Sequence, residues 1–386
     1  MHTTYPSLVR SVRAIDVENA ALEVDFLPVG DGHKGGDAIA VRFGDLTGRR
    51  DAQFVMVIDG GTQDSGAALV DHVRKYYGTE QVDLAVSTHP DADHASGLKV
   101  VLEKLDVKRL WIHRPWEHAS NIHELFRSAR LTNTSLERYI RKSLTNAHDL
   151  EDVADKRGIP IDEPFSNEAL PFRDIGIFVL GPSKHFYEDL LPNFRSTPEA
   201  KAAEDDSFLL KLIEAAKSGA KQLLESWGIE TLSDPEENAT SAENNSSVVL
   251  LLKVGGKALL FTGDAGVPAL ELAADHADAL GVSLQAASFI QIPHHGSRRN
   301  VGPSILNRII GPKLSEGSFP KVTAFVSCCK DGNPKHPAKK VTNAFQRRGA
   351  NVIATRGNSI RHGHNAPDRP GWGPASPVPF YSEVDE

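Results

Sequence analysis

The chain has 386 residues, a formal net charge of −8, 40 % hydrophobic and 24 % charged residues, which is the composition of a folded protein able to bury a core. No stretch approaches the roughly 18 consecutive apolar residues of a membrane span, and Met1 to Asp25 holds no signal-like apolar run, so a cytoplasmic chain with no membrane partner is expected. Its two cysteines, Cys328 and Cys329, are neighbours, which argues against a disulfide-stapled scaffold and reads as two strand residues without a redox role.

In chain order, Leu22 to Pro28 and Ala38 to Phe43 read as strands around a Gly-rich turn from Val29 to Gly36. Gln53 to Ile58 is a strand that stops at Asp59-Gly60-Gly61. Apolar spacing predicts a helix over Ser65 to Tyr77, ended by Gly78, then a buried strand over Val82 to Ser87. A loop from Thr88 to His94 leads into a helix over Ala95 to Leu105, and Leu110 to His113 is a further strand. From Pro115 the pattern turns mostly helical (Ile122 to Ser143, Ser207 to Ser226), with one strand at Ile175 to Leu180 and an acidic, mobile loop at Thr231 to Asn245. Strands return as a hairpin, Ser247 to Val254 and Lys257 to Phe261 around Gly255-Gly256. A helix over Val267 to Leu280 follows, then strands at Ala287 to Ile292, Val322 to Ser327 and Val352 to Thr355, with a helix at Pro337 to Arg348. Ala366 to Glu386 is Pro-rich and expected to pack loosely.

Chemistry concentrates where strands end. His89, Asp91, Asp93 and His94 follow a buried strand, so four potential metal ligands fall within six residues on a rigid support. Thr262-Gly-Asp264 and Pro293-His-His-Gly-Ser297 repeat the arrangement after two later strands. Charge is also uneven: between His294 and Arg361 the acids are Glu316 and Asp331, against Arg298, Arg299, Arg308, Lys313, Lys321, Lys330, Lys335, Lys339, Lys340, Arg347, Arg348, Arg356 and Arg361. That segment predicts a local positive field toward an anionic substrate, in a chain whose net charge would repel one.

The order and wording of these motifs resemble the metallo-β-lactamase superfamily, and within it the ComEC-like branch of DNA-uptake hydrolase domains. The residues that carry the resemblance are Val29-Gly-Asp-Gly, Gly36-Asp-Ala-Ile, Ile58-Asp-Gly-Gly61, Thr88-His-Pro-Asp-Ala-Asp-His94, Asn244-Asn-Ser-Ser247, Thr262-Gly-Asp264, Pro293-His-His-Gly-Ser297 and Lys335-His-Pro337. The resemblance implies an α/β fold of the four-layer αββα type, built from residues 1–114 and 244–365. A mostly helical insertion of unknown partner would span 115–243, and a Pro-rich tail 366–386. It further implies two divalent metal ions, with His89 and Asp91 on the first and Asp93, His94 and one of His294 or His295 on the second. Asp264 would bridge them, while Asp37 and Asp59 would support the site.

Two departures matter. Asp91 and Asn245 stand where the superfamily usually carries histidine ligands, which makes the first site richer in oxygen and Mn²⁺ or Mg²⁺ plausible beside Zn²⁺. The expected reaction is hydrolysis by a metal-bound hydroxide, with Asp93 and His295 in the catalytic shell and His336 protonating the leaving oxygen or contacting the phosphate. Arg298, Arg299, Lys335 and Asn245 are the expected substrate contacts. The leading expectation is a phosphodiesterase, specifically a nuclease, with nucleic acid or another phosphodiester as substrate. Hydrolysis of a small ester, lactam or phosphorylated metabolite, and a metal-stabilised binding or effector module, remain as alternatives.

Overall fold

The computed structural model describes residues 15–30, 35–122, 132–195, 222–236, 238–330 and 336–385. Lys335 and part of the Val29 to Gly36 turn lie outside them, as does most of the expected helix from Ser207 to Ser226.

The strands build two large sheets. Across the first, the order is Ile360–His364, Ala21–Phe26, Ala38–Gly44, Gln53–Gly60, Leu84–Val86, Leu110–Trp111 and Ile161–Asp162. Its first four strands pair antiparallel and the remaining pairings are parallel. Across the second, the order is Ala350–Ala354, Val322–Val326, Phe289–Gln291, Lys257–Phe261, Val249–Val254 and Ile177–Gly181, parallel up to Lys257–Phe261 and antiparallel beyond it.

Side-chain alternation explains the layering. Phe54, Met56 and Ile58 point inward with Leu250, Leu252, Leu259, Phe289 and Phe325, forming one core between the sheets. There Phe26 of the first sheet meets Phe325 of the second edge-on, at a ring distance of 5.4 Å. The alternate residues face outward: Val55 and Val57 under helices Gln63–His72 and Ala92–Lys104, and Leu251, Leu260 and Ile290 under Val267–Ala279 and Pro303–Ile309. Both sheets are therefore buried on two faces, which is the αββα sandwich expected from the motifs.

Four expectations change. Residues 115–243, expected as a mostly helical insertion with one strand, supply Ile161–Asp162 to the first sheet and Ile177–Gly181 to the second. Their helices Asn133–Ser143 and Thr145–Arg157 join the outer core of the first sheet, with Lys99 bonded to Asp149. Gln222–Leu224 is a strand rather than a helix end, and pairs with Glu383–Asp385. The last residues consequently do not pack loosely: Val384 is buried, and Arg369 bridges Asp25 and Glu23. The Thr231 to Asn245 loop is also fastened, through buried Leu232 and a turn of helix at Ala242–Asn245.

Candidate metal centre

The parallel strands of both sheets release their carboxyl ends at one edge, where open α/β sheets place ligands. Asp59 leaves Gln53–Gly60 in a left-handed conformation, φ 54°, which a non-glycine residue adopts only when its surroundings enforce it. Its carboxylate explains the enforcement. One oxygen accepts from Thr88 N at 2.8 Å, and the other from Thr88 Oγ1 at 2.6 Å and from His94 Nδ1 at 2.8 Å. Asp59 is thereby spent on fixing the loop and the His94 ring, leaving His94 Nε2 to point elsewhere.

That Nε2 faces Asp264 Oδ2 at 3.6 Å, while His89 Nε2 faces the same oxygen at 3.8 Å and Asp91 Oδ2 at 4.0 Å. His94 Nε2, His89 Nε2 and Asp264 Oδ1 are buried without a hydrogen-bond partner. Three overlapping groups meet on His94, namely Asp59, His89 and His94, then Asp93, His94 and His295, and Asp37, His94 and Asp264, with the ligand atoms of each within 4.8 Å of one another. Orphaned buried nitrogens beside crowded carboxylates are costly unless a cation joins them. The residues fit a divalent metal ion on this ground.

The surrounding charges reinforce one another. Burial opposes a charge on His94, yet Asp264 and Asp59 outweigh it and raise its pKa well above the usual histidine value. Burial would raise Asp264, but His294, His94 and His295 around it hold the carboxyl well below its ordinary range. Asp37 is raised, chiefly by burial, and accepts from Gln291 Nε2 at 2.7 Å. Site and support are thus tied across both sheets.

The two histidines after Pro293 take different roles. His294 and His295 have φ of 45° and 54°, and Gly296 follows at 78°, so the chain turns left-handed over three residues. His294 Nδ1 sits 3.5 Å from Asp264 and contacts the Asn244 amide, whereas His295 joins the Asp93 and His94 group. A side chain on Gly35 would run into the His295 ring at 2.9 Å, and one on Gly36 into the Asp93 carbonyl at 2.1 Å. The glycines after Val29 therefore let backbone lie directly on two site residues.

Other expected site residues are placed as follows. His336 stacks toward His294, with ring centroids 6.2 Å apart. Arg298 and Arg299 are exposed immediately after the two histidines. Asn245 is turned away, accepting from Gly266 N and donating to the Thr240 carbonyl. Much of the basic segment is used internally: Arg308 pairs with Asp275 and Asp278, Arg347 with Glu225, Arg348 and Lys313 with Glu230, and Arg361 with Glu23. Five of the thirteen basic residues of the segment are therefore in ion pairs with acids of the same chain.

Four site neighbours were not anticipated. Thr88 and Gln291 buttress Asp59 and Asp37; Asn244 reaches His294; and Arg195 pairs with Asp91 at 2.8 Å. Thr88 and Asn244 lie inside motifs already singled out, without a role of their own, but nothing in the local sequence marks Arg195.

Among the described residues no helix is long and apolar enough to cross a membrane. The Bacillus subtilis (strain 168) ComE operon protein 3 is 22 % identical over 281 residues, covering 73 % of this chain and 24 % of that protein, so the chain spans about a quarter of its relative. A Thermotoga maritima crystal structure described as a metallo-beta-lactamase superposes on 63 % of this chain and 79 % of its own, at 10 % identity and a TM-score of 0.30. The family model of the metallo-beta-lactamase superfamily matches residues 49–309, and the chain belongs to that superfamily, whose members are mostly metal-dependent hydrolases.

Proposed function

We propose that the chain is a metal-dependent phosphodiesterase acting on nucleic acid. The observation that carries the reading is the convergence of His89 Nε2, His94 Nε2 and Asp264 Oδ1, buried and unpartnered, at the sheet edge next to exposed Arg298 and Arg299. Asp93, His94, Asp264 and His295 would hold a divalent ion, Zn²⁺, Mn²⁺ or Mg²⁺, with Asp59 and Asp37 fixing its ligands. Bound there, such an ion supplies an activated water and neutralises charge on phosphoryl oxygens.

The chain's own residues do the rest. Arg298 and Arg299 grip phosphates flanking the scissile one, and Lys335 is proposed to join them. His336, beside His294, donates a proton to the departing oxygen. Burial around His89, His94 and Asp264 excludes bulk water and strengthens each charge interaction. Internal pairing of Arg308, Arg347, Arg348 and Arg361 leaves a short cationic surface, which favours a small phosphorylated metabolite as the second reading.

The test is purified protein with Mn²⁺, Mg²⁺ or Zn²⁺, assayed on single- and double-stranded DNA, RNA and bis(p-nitrophenyl) phosphate. Cleavage of a nucleic acid in at least one metal is expected. Absence of cleavage in all three, with turnover of a small phosphate ester, would select the second reading. Turnover of a lactam or carboxylic ester alone would overturn both.

A further inference from the structure

Arg195 brings a permanent cation to the part of the centre where the first metal would bind. Its guanidinium donates to both oxygens of the Asp91 carboxylate, at 2.8 and 3.2 Å, and its Nε pairs with Glu243 at 3.3 Å. The Arg195 backbone N–H donates to Glu243 as well, so the side chain is anchored at its root and its tip. Both bonds to Asp91 come from Nη2 while Nε turns to Glu243, so one guanidinium makes charge-assisted contacts to two carboxylates.

The rest of this half of the centre is poor in ligands. Among the described residues Asp91 belongs to no group of three converging donor atoms, and His89 joins one only with His94 and with Asp59, whose oxygens already accept from Thr88 and His94. Asn245, which stands where the superfamily usually has a nitrogen ligand, commits its oxygen to Gly266 and its amide to Thr240. His89 Nε2 is left with Asp264 and Asp91 at 3.8 and 4.0 Å. The other half collects Asp93, His94 and His295, with Asp264 and Asp37 against the same His94 ring.

Resting on the metal-dependent reading above, we propose that Arg195 takes the place of one cation, so that the centre holds a single tightly bound divalent ion at Asp93, His94, Asp264 and His295. Asp264 then serves one ion instead of bridging two. The guanidinium, half-exposed beside Asp91, supplies fixed positive charge to the side of the substrate that a second ion would face. It is a positioning residue for Asp91 and a charge partner for an anionic phosphoryl group.

Removing Arg195 has a defined consequence. Asp91 and Glu243 lose their shared cation and, with His89 nearby, become an oxygen-rich pair suited to a hard ion. The experiment is Mn²⁺ stoichiometry by equilibrium dialysis with elemental analysis, alongside electron paramagnetic resonance, on the full chain and on R195A, R195Q and R195K. The full chain and R195K are expected to hold one ion with an isolated-Mn²⁺ spectrum. R195A and R195Q are expected to hold two, with a spin-coupled spectrum. Two ions of similar affinity in the unaltered chain, or one ion in both R195A and R195Q, would overturn the proposal. Two ions in the unaltered chain would overturn the proposal even should a variant misfold, and R195Q tests the role of Arg195 should R195A fail to fold. No bound Mn²⁺, Zn²⁺ or Mg²⁺ at all would instead overturn the metal-dependent reading beneath it.

Discussion

Asp59 shows how a residue that need not touch an ion can govern its binding. Its two oxygens accept three donors, two from Thr88 and one from His94, and so select which His94 nitrogen is presented to the centre. In Asp59→Asn the amide nitrogen replaces one acceptor, and the His94 ring loses its fixed orientation. Metal affinity should fall about 10- to 100-fold, read by chelator competition, because outer partners of ligating histidines typically carry that much. Unchanged affinity would return Asp59 to a purely structural role. His113, away from the centre, offers a pH prediction. Buried between the Phe165 and Tyr187 rings, it has a pKa pushed down to about 4, chiefly by burial, with His118 adding to the drop. A folded-state pKa below the unfolded value of 6.5 means the unfolded chain takes up the proton first. Stability is therefore untouched above pH 6.5 and declines as pH falls toward 4, by about 3 kcal/mol from this residue over that span. Urea unfolding of His113→Gln should show a shallower acid decline than the unaltered chain, and equal slopes would refute the assignment.

At the scale of elements, the helix Ala92–Lys104 carries Asp93 and His94 and is seated by glycine. A Cβ on Gly97 would lie 2.0 Å from the Gly60 carbonyl and 2.3 Å from that of Thr62, so helix and strand end touch backbone to backbone. Gly97→Ala must push the helix outward, with an overpacking cost of about 1–3 kcal/mol. Thermal unfolding should register the loss, and metal affinity should drop with it, since both ligands ride on the displaced segment. The same scale explains what could be read in advance. Strands such as Gln53–Gly60 are legible because alternation and apolar content are local properties, and ligands at strand ends are legible because they cluster in sequence. Ile360–His364 escaped because Arg361, His362 and His364 interrupt its pattern, although it pairs in full with Ala21–Phe26. Gln222–Leu224 with Glu383–Asp385 escaped because three-residue strands far apart in the chain hold too little periodicity. Arg195 escaped for a related reason: its partner Asp91 lies 104 residues away, and a lone arginine carries no spacing. Asn245 is the expected contact, yet Asn244 is the amide that reaches His294, because which of the two faces the site depends on backbone geometry that composition does not encode.

For the whole molecule, electrostatics set the terms on which a polyanion approaches. The net charge is −8, and five cations of the basic segment are paired with acids of the fold, as in the fully buried Arg347–Glu225 pair. Attraction must then come from few residues. If Arg298 and Arg299 contact phosphates, R298A/R299A should weaken nucleic-acid binding and flatten its salt dependence by about one to two units of slope. Hydrolysis of bis(p-nitrophenyl) phosphate should stay nearly unchanged, because the metal ligands remain; equal loss on both substrates would place the arginines in the reacting shell. The arrangement as a whole, two sheets delivering His89, His94, Asp264 and His295 to one edge, fits a metal centre, and the proposed function assigns hydrolysis to it. Its most direct test is to measure metal content and phosphodiester turnover together on the unaltered chain and on Asp264→Ala. The account predicts that the substitution removes bound metal and abolishes turnover while the far-ultraviolet circular dichroism is retained. A folded Asp264→Ala protein with full metal and full turnover would contradict it.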